Sequence, residues 1–145
     1  MDEFEGTPGP WRWEMNENSK CINLCGGKPK YDLTVMDFAR WGMSGAAPRF
    51  NIKLGETGFN VMERADTFGQ IVPGREHHAN WFKTLNHPDA QLIAAAPDLL
   101  SALQHMVHLH MCEQEGLSSG QPTAAYWYGA VDKASEAISR ALGRV

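Results

Sequence analysis

The sequence predicts an α+β fold, in which an antiparallel β-meander of about four to five strands packs against a C-terminal helical hairpin. Residues 1–63 carry short stretches where apolar and polar side chains alternate, separated by turn residues. Residues 88–145 instead place apolar side chains three and four positions apart, the period of a helix with one buried face. Strands followed by helices are typical of the α+β class.

Each strand is predicted from its alternation and its flanking turns. Trp11–Met15 alternates strictly, and an Asn- and Ser-rich turn separates it from the second strand. The third strand is rich in β-branched and aromatic residues, which favour extended structure. Small residues predict a loop over 40–48 before the fourth strand. The five predicted strands are 11–15, 20–24, 31–38, 49–54 and 59–63.

The stretch 64–87 shows no dominant period. We expect an irregular, ligand-binding segment here, with one short helix around residues 77–84. A long irregular stretch inside a compact domain is often functional.

The C-terminal third predicts two or three helices. Asn86 is expected to cap the first helix, and Pro88 suits its first turn. Because proline removes a backbone donor, Pro97 predicts a kink or a restart, with the second segment running to about Glu115. After a Gly- and Ser-rich connector, a further amphipathic helix is expected to end near Gly143.

Length and composition favour a single domain over residues 1–145, with ordinary globular character. No apolar run is long enough for a membrane span, and the acidic start differs from a signal peptide, so we expect a protein of the host cytosol. Cys21, Cys25 and Cys112 are expected to be free thiols. Exposed sheet edges and an amphipathic helix pair favour a homo-oligomer.

Charge is distributed unevenly along the chain. The net charge is −4, but residues 40–87 hold six basic against four acidic groups, whereas the residues on either side are each net acidic. An acidic chain is poorly suited to duplex nucleic acid, which is bound through many phosphate contacts.

The sequence predicts no catalytic residue, no metal site and no cofactor. His77 and His78 lie beside Glu76, but no compact two-ligand spacing is present. His105, His108 and Cys112 share one helix face that we interpret as solvated. A nucleophile elbow and a phosphate-binding loop are both absent from the sequence.

Arginine, histidine and large aromatic residues are concentrated between positions 40 and 87. Aromatic faces stack on planar rings, and arginine forks match phosphate or carboxylate oxygens. The same aromatic residues also suit a protein core, with the charges reaching outward. The candidate ligand-binding residues are Arg40, Trp41, Arg49, Phe50, Arg75, His77, His78, Trp81 and His87.

Two segments of the chain carry a family resemblance. Thr7-Pro8-Gly9-Pro10-Trp11 and Ala90-Gln91-Leu92-Ile93-Ala94-Ala95-Ala96-Pro97-Asp98-Leu99-Leu100 resemble a pattern found in small phage and prophage accessory proteins, including the Ead-like early-region proteins. Together they cover roughly a sixth of the chain. The resemblance implies a phage origin, but it supplies no shared chemistry for individual residues.

Three functional hypotheses follow. The first is a non-enzymatic accessory protein, with anti-defence activity as an extension, that sequesters an anionic nucleotide-like host signal through residues 40–87. The second is a protein inhibitor of a host defence or transcription complex, which would use an acidic surface. The third is a metal-dependent hydrolase built on the histidines. No membrane partner is expected.

Overall fold

The computed structural model of the chain describes residues 3–27, 33–43, 45–52, 60–74, 76–78, 83–115 and 124–144. The chain divides into two compact units, Met1–Ala90 and Gln91–Val145. The assignment of the whole chain to one domain stays a prediction.

The first unit contains a five-stranded antiparallel sheet in the order β1-β2-β3-β4-β5. Each strand therefore lies beside its neighbour in sequence, which confirms the predicted meander. The strands are β1 (Arg12–Asn16), β2 (Cys21–Gly26), β3 (Leu33–Trp41), β4 (Gly45–Asn51) and β5 (Met62–Arg64).

The predicted loop over residues 40–48 was wrong. β3 continues to Trp41 and β4 begins at Gly45, so that only residues 42–44 lie between the two strands. Arg40 pairs with Ala46 and Trp41 with Gly45. Ladder pairing across the hairpin outweighs the low strand propensity of glycine, alanine and proline, because propensity is a weak local preference.

Residues 64–87 hold more regular structure than the sequence predicted. A 3₁₀ turn (Ala65–Phe68) precedes β6 (Gly69–Ile71), and a second turn (Glu76–His78) precedes β7 (Lys83–Leu85). β6 and β7 form a separate two-stranded antiparallel ladder. The helix expected around 77–84 is therefore replaced by a single turn and a strand, with residues 79–82 outside the described range.

The second unit contains most of α1 (Pro88–Glu115) and all of α2 (Ala124–Ala141). The restart expected at Pro97 was wrong, since α1 runs through it as one helix, while the alternative of a kink there stays a prediction. Pro97 and Ile93 are both exposed. Water can therefore hydrogen-bond the Ile93 carbonyl that a proline four residues later leaves without its donor.

The two helices pack together as an antiparallel pair through small side chains. The Arg140 guanidinium, near the end of α2, lies 2.5 Å from the carboxylate of Asp98, in the first half of α1. This contact agrees with opposite directions of the two helices. α2 ends as predicted near Gly143, which has a φ of 70° and donates its N–H to the Arg140 carbonyl at 3.0 Å. Meander and helix pair confirm the α+β class. The buried residues of the pair are Ala95, Ala102, Leu109, Ala130, Ala137 and Ala141.

Candidate functional site

A chain of buried polar contacts fixes the start of α1. The Asp89 carboxylate is fully buried and accepts the Thr7 N–H and the Thr7 hydroxyl, each at 2.6 Å. The Asp89 N–H donates to His87 Nδ1 at 3.2 Å, so the His87 ring caps the helix one residue beyond the predicted cap, Asn86. With Nδ1 as acceptor, His87 Nε2–H donates to the Asn51 carbonyl at 2.9 Å.

This arrangement is a structural contact and offers no reacting group to a substrate. Thr7, Asn51, His87 and Asp89 are all buried, and their described polar atoms are satisfied. Burial raises the pKa of Asp89 above its ordinary value, against the lowering effect of the two Thr7 hydrogen bonds and of His87. The Thr7–Trp11 motif thus packs on the residue just before the Ala90–Leu100 motif.

Two of the predicted site residues contact each other. The Phe50 and His87 rings are stacked, with their centroids 5.0 Å apart, and the Phe68 and His87 rings meet in a T-shaped arrangement with centroids 4.9 Å apart. Phe50 is only 4% exposed. Phe50 and His87, both members of the predicted set, are therefore buried packing residues of the first unit.

Arg49 lies on the other face of the sheet. Its guanidinium makes a bidentate contact with Asp37 on the neighbouring strand, at 2.8 and 2.6 Å. These hydrogen bonds raise the pKa of Arg49 further above its ordinary value, and partial burial opposes the rise. The Arg49 guanidinium is therefore already hydrogen-bonded to a carboxylate of the protein itself.

The remaining predicted residues are dispersed. Arg40 is exposed near the end of β3, and its Nε–H donates to the Gly42 carbonyl at 3.3 Å. His77 is exposed in the 3₁₀ turn Glu76–His78. Only the backbone is described for Trp41 and His78, while Arg75 and Trp81 lie outside the described residues.

One face of the sheet is apolar across β1 to β4 and ends in a glutamate on β5. Directly opposed residues share a face. A row therefore runs Trp13, Leu24, Met36, Phe50 and Glu63 across the five strands.

The end of this face nearest the β1–β2 and β3–β4 turns is exposed. Met15 opposes Ile22 there, Phe38 opposes Pro48, and all four lie on the same face as the row. Trp13 is 61% exposed and Phe38 49%, whereas Leu24 and Phe50 are buried. A half-covered apolar face on a sheet is a candidate binding surface.

An open groove of about 660 Å³ lies over this exposed part. That volume is within the range of small-molecule sites, roughly 300–1,000 Å³. Arg40 lies two positions beyond Phe38 on the same face. We call this the sheet groove; its lining residues are Trp13, Glu14, Met15, Lys20, Cys21, Ile22 and Phe38.

Most of the groove residues were not singled out by the sequence. Alternation in 11–15 and 20–24 identified which side chains share a face, and that face was expected to be buried. Whether one half of a face stays uncovered depends on packing between distant segments, which local periodicity does not encode.

Two further features concern the described residues alone. No helix there combines the length and apolarity that crossing a membrane requires. Within the same residues, no three His, Cys, Asp or Glu side chains gather as metal ligands do.

Comparison with known proteins gives a family. No curated protein and no solved structure matches the chain. A model of the family described as Salmonella phage P22 protein Y8K6 matches residues 1–145. The chain therefore belongs to this family of phage proteins.

Proposed function

We propose that this phage protein is a non-enzymatic accessory protein that binds an anionic, nucleotide-like host molecule in the sheet groove and sequesters it. The observation that carries the proposal is the pairing of two exposed aromatic side chains, Trp13 and Phe38, with two nearby cations, Lys20 and Arg40. A host immune signal is one molecule of this kind, and its removal would make the protein an anti-defence factor.

The chemistry of the groove suits a ligand with a planar apolar part and a negative group. Trp and Phe rings stack on nucleobases of any sequence, each stack contributing roughly 1–3 kcal/mol. Lys20 lines the groove, and Arg40 lies toward the same end of the sheet. Their ammonium and guanidinium groups would hydrogen-bond phosphate oxygens.

The predicted set of site residues has divided roles in this proposal. Arg40 contacts the ligand, whereas Phe50 and His87 keep the sheet face rigid beneath it. Arg49 holds β3 to β4 through Asp37. The contributions of Trp41, Arg75, His77, His78 and Trp81 stay predictions. A passive binding role also agrees with the resemblance to Ead-like accessory proteins, whose pattern supplies no catalytic residues.

The proposal is tested by isothermal titration of the purified protein with linear mononucleotides, cyclic dinucleotides and ADP-ribose compounds. We expect at least one class to bind. Trp13→Ala should then weaken binding about ten-fold or more, because one stacking contact is lost. Arg40→Gln should weaken it through the loss of one charge-assisted contact.

Arg64→Gln is the matched control for Arg40→Gln. Arg64 is opposed to Arg49, so it lies on the other face of the sheet, where it pairs with Asp66. The control should bind like the wild type. Absence of heat with every compound, or equal loss in both arginine variants, would overturn the proposal.

A second candidate is inhibition of a host protein, and the position of β1 favours it. Among the described strands, β1 is at the edge of the five-stranded sheet, next to the groove. An edge strand offers unpaired backbone groups to which a partner strand can add. Retention of one host protein by the wild type, and its loss with Trp13→Ala, would support this function in place of small-molecule binding.

A further inference from the structure

The two helices of the second unit bury small residues and leave large ones uncovered. Their seam consists almost entirely of alanine. Leu103 is 60% exposed and Val107 50%, although both are apolar residues in the middle of α1. A two-helix layer joined through alanines therefore lacks a core for its own large side chains.

Several charged and polar residues of the two helices lie on one side of the seam. Asp98 and His105 of α1 and Lys133 and Arg140 of α2 surround one shared cleft. With 3.6 residues per turn, Leu103, Val107, Val131 and Ile138 must lie on the opposite side. We call this opposite side the hairpin face; its residues are Leu99, Leu100, Leu103, Val107, His110, Met111, Trp127, Val131 and Ile138.

The hairpin face carries no Asp, Glu, Lys or Arg, and His110 is the polar residue of α1 that lies on it. Residues 99–112 contain no Asp, Glu, Lys or Arg, which is unusual for fourteen consecutive residues of a helix with exposed positions. The charged residues of α2 are Asp132, Lys133, Glu136 and Arg140, and the helical period places all four on the polar side or at the back. A partner recognised through opposite charge would find no complementary group on this face.

We propose that the hairpin face is the interface of a homodimer, in which the helix pairs of two copies pack face to face as a four-helix bundle. A two-fold axis brings the same patch of each copy together, so an uncharged apolar patch is complementary to itself. Two antiparallel hairpins give the two layers that a bundle needs to bury its large side chains.

The extent of the face agrees with this partner. Contiguous apolar patches above a few hundred Å² are rare on monomers. The hairpin face extends along α1 from Leu99 to Met111, more than three turns, and along α2 from Trp127 to Ile138.

The test is sedimentation velocity of the full-length protein across a wide concentration range. We expect a species of twice the 16.1 kDa chain mass at high concentration. Leu103→Glu would bury two carboxylates near the axis, and it should raise the dimer dissociation constant at least 100-fold. Ser101→Glu is the matched control, since Ser101 is exposed and lines the polar cleft on the other side of the seam, so this variant should leave the dimer intact.

A wild type that stays at the mass of one chain at high concentration would overturn the proposal, as would a dimer unaffected by Leu103→Glu. Where that variant does not fold, peroxide oxidation of the wild type replaces it. Met111 on the hairpin face should be protected relative to the highly exposed Met43, and dilution should remove the protection. Protection that is independent of concentration, or absent throughout, would contradict the dimer.

Discussion

At the scale of single residues, Thr7 and Asp89 join segments 82 positions apart in the sequence. A buried carboxylate needs hydrogen bonds to offset its loss of water, and Thr7 supplies two of them. The distinctive Thr7–Trp11 motif therefore has a structural explanation. The motif places the N–H and the hydroxyl of Thr7 within hydrogen-bond distance of the Asp89 carboxylate, at the start of α1. Within the motif, the Trp11 indole N–H donates to the Thr7 carbonyl at 3.0 Å.

Replacement of Thr7 by valine tests this contact. Thr7→Val keeps the side-chain shape but removes the hydroxyl, so that one carboxylate oxygen loses its described donor. The free energy of unfolding should fall by about 1.5–3 kcal/mol, as measured by urea denaturation. Thr7→Ser keeps the donor and loses one methyl group, which should cost only about 1 kcal/mol. Equal stability of Thr7→Val and the wild type would refute the contact.

The raised pKa of Asp89 predicts how stability depends on pH. The folded protein binds the Asp89 proton more tightly than the unfolded chain does. This group therefore contributes most to the free energy of unfolding at a pH below its ordinary pKa of 3.8. The contribution is lost as the pH rises through the higher pKa of the folded state. Relative to Asp89→Asn, the wild type should therefore lose stability in denaturation experiments as the pH rises from below 3.8 through the raised pKa of the folded state. A relative stability that increases over this range would contradict the assigned direction.

At the scale of elements, local pattern predicted most strands and helices and the end of α2, but not the full extents of β3, β4 and α1. β1 and β2 follow from alternation, and the stop of α2 follows from Gly143. The errors fall where tertiary context decides. Cross-strand pairing extends β3 and β4 over small residues, and solvent access lets α1 tolerate Pro97.

Two glycine-to-alanine substitutions test two different effects, the lack of space for a side chain at Gly26 and the low helix propensity of Gly129. A Cβ on Gly26 of β2 would lie 2.6 Å from the Pro8 carbonyl oxygen and 2.9 Å from Thr7 Cγ2, so Gly26→Ala should destabilise by about 1–3 kcal/mol. A Cβ on Gly129 of α2 meets no described atom within 4 Å, so Gly129→Ala should stabilise by about 0.5–1 kcal/mol. Thermal or urea denaturation of both variants checks the opposite signs. A stabilising Gly26→Ala would contradict the close approach of Pro8 to β2, and a destabilising Gly129→Ala would contradict the open space at that position of α2.

At the scale of the whole molecule, the candidate site differs from the site that composition predicted. The cationic middle third supplies Arg40, while Arg49 is engaged by Asp37 and Phe50 is buried. The aromatic part of the sheet groove comes from Trp13 of β1 and Phe38 of β3. Sequence density identified the residue types that such a site needs. The sheet groove proposed as the site lies elsewhere, because residues of distant strands meet only in the folded sheet.

The central claim is that the sheet groove holds an anionic, nucleotide-like molecule. Native mass spectrometry of the protein after incubation with a bacterial small-molecule extract tests it most directly, with Trp13→Ala and Arg64→Gln treated in parallel. The account predicts a retained small mass on the wild type and on Arg64→Gln, released by mild denaturation and absorbing as a nucleobase, and its loss from Trp13→Ala. A wild-type protein that emerges without any added mass, or an adduct that Trp13→Ala retains equally, would contradict the account.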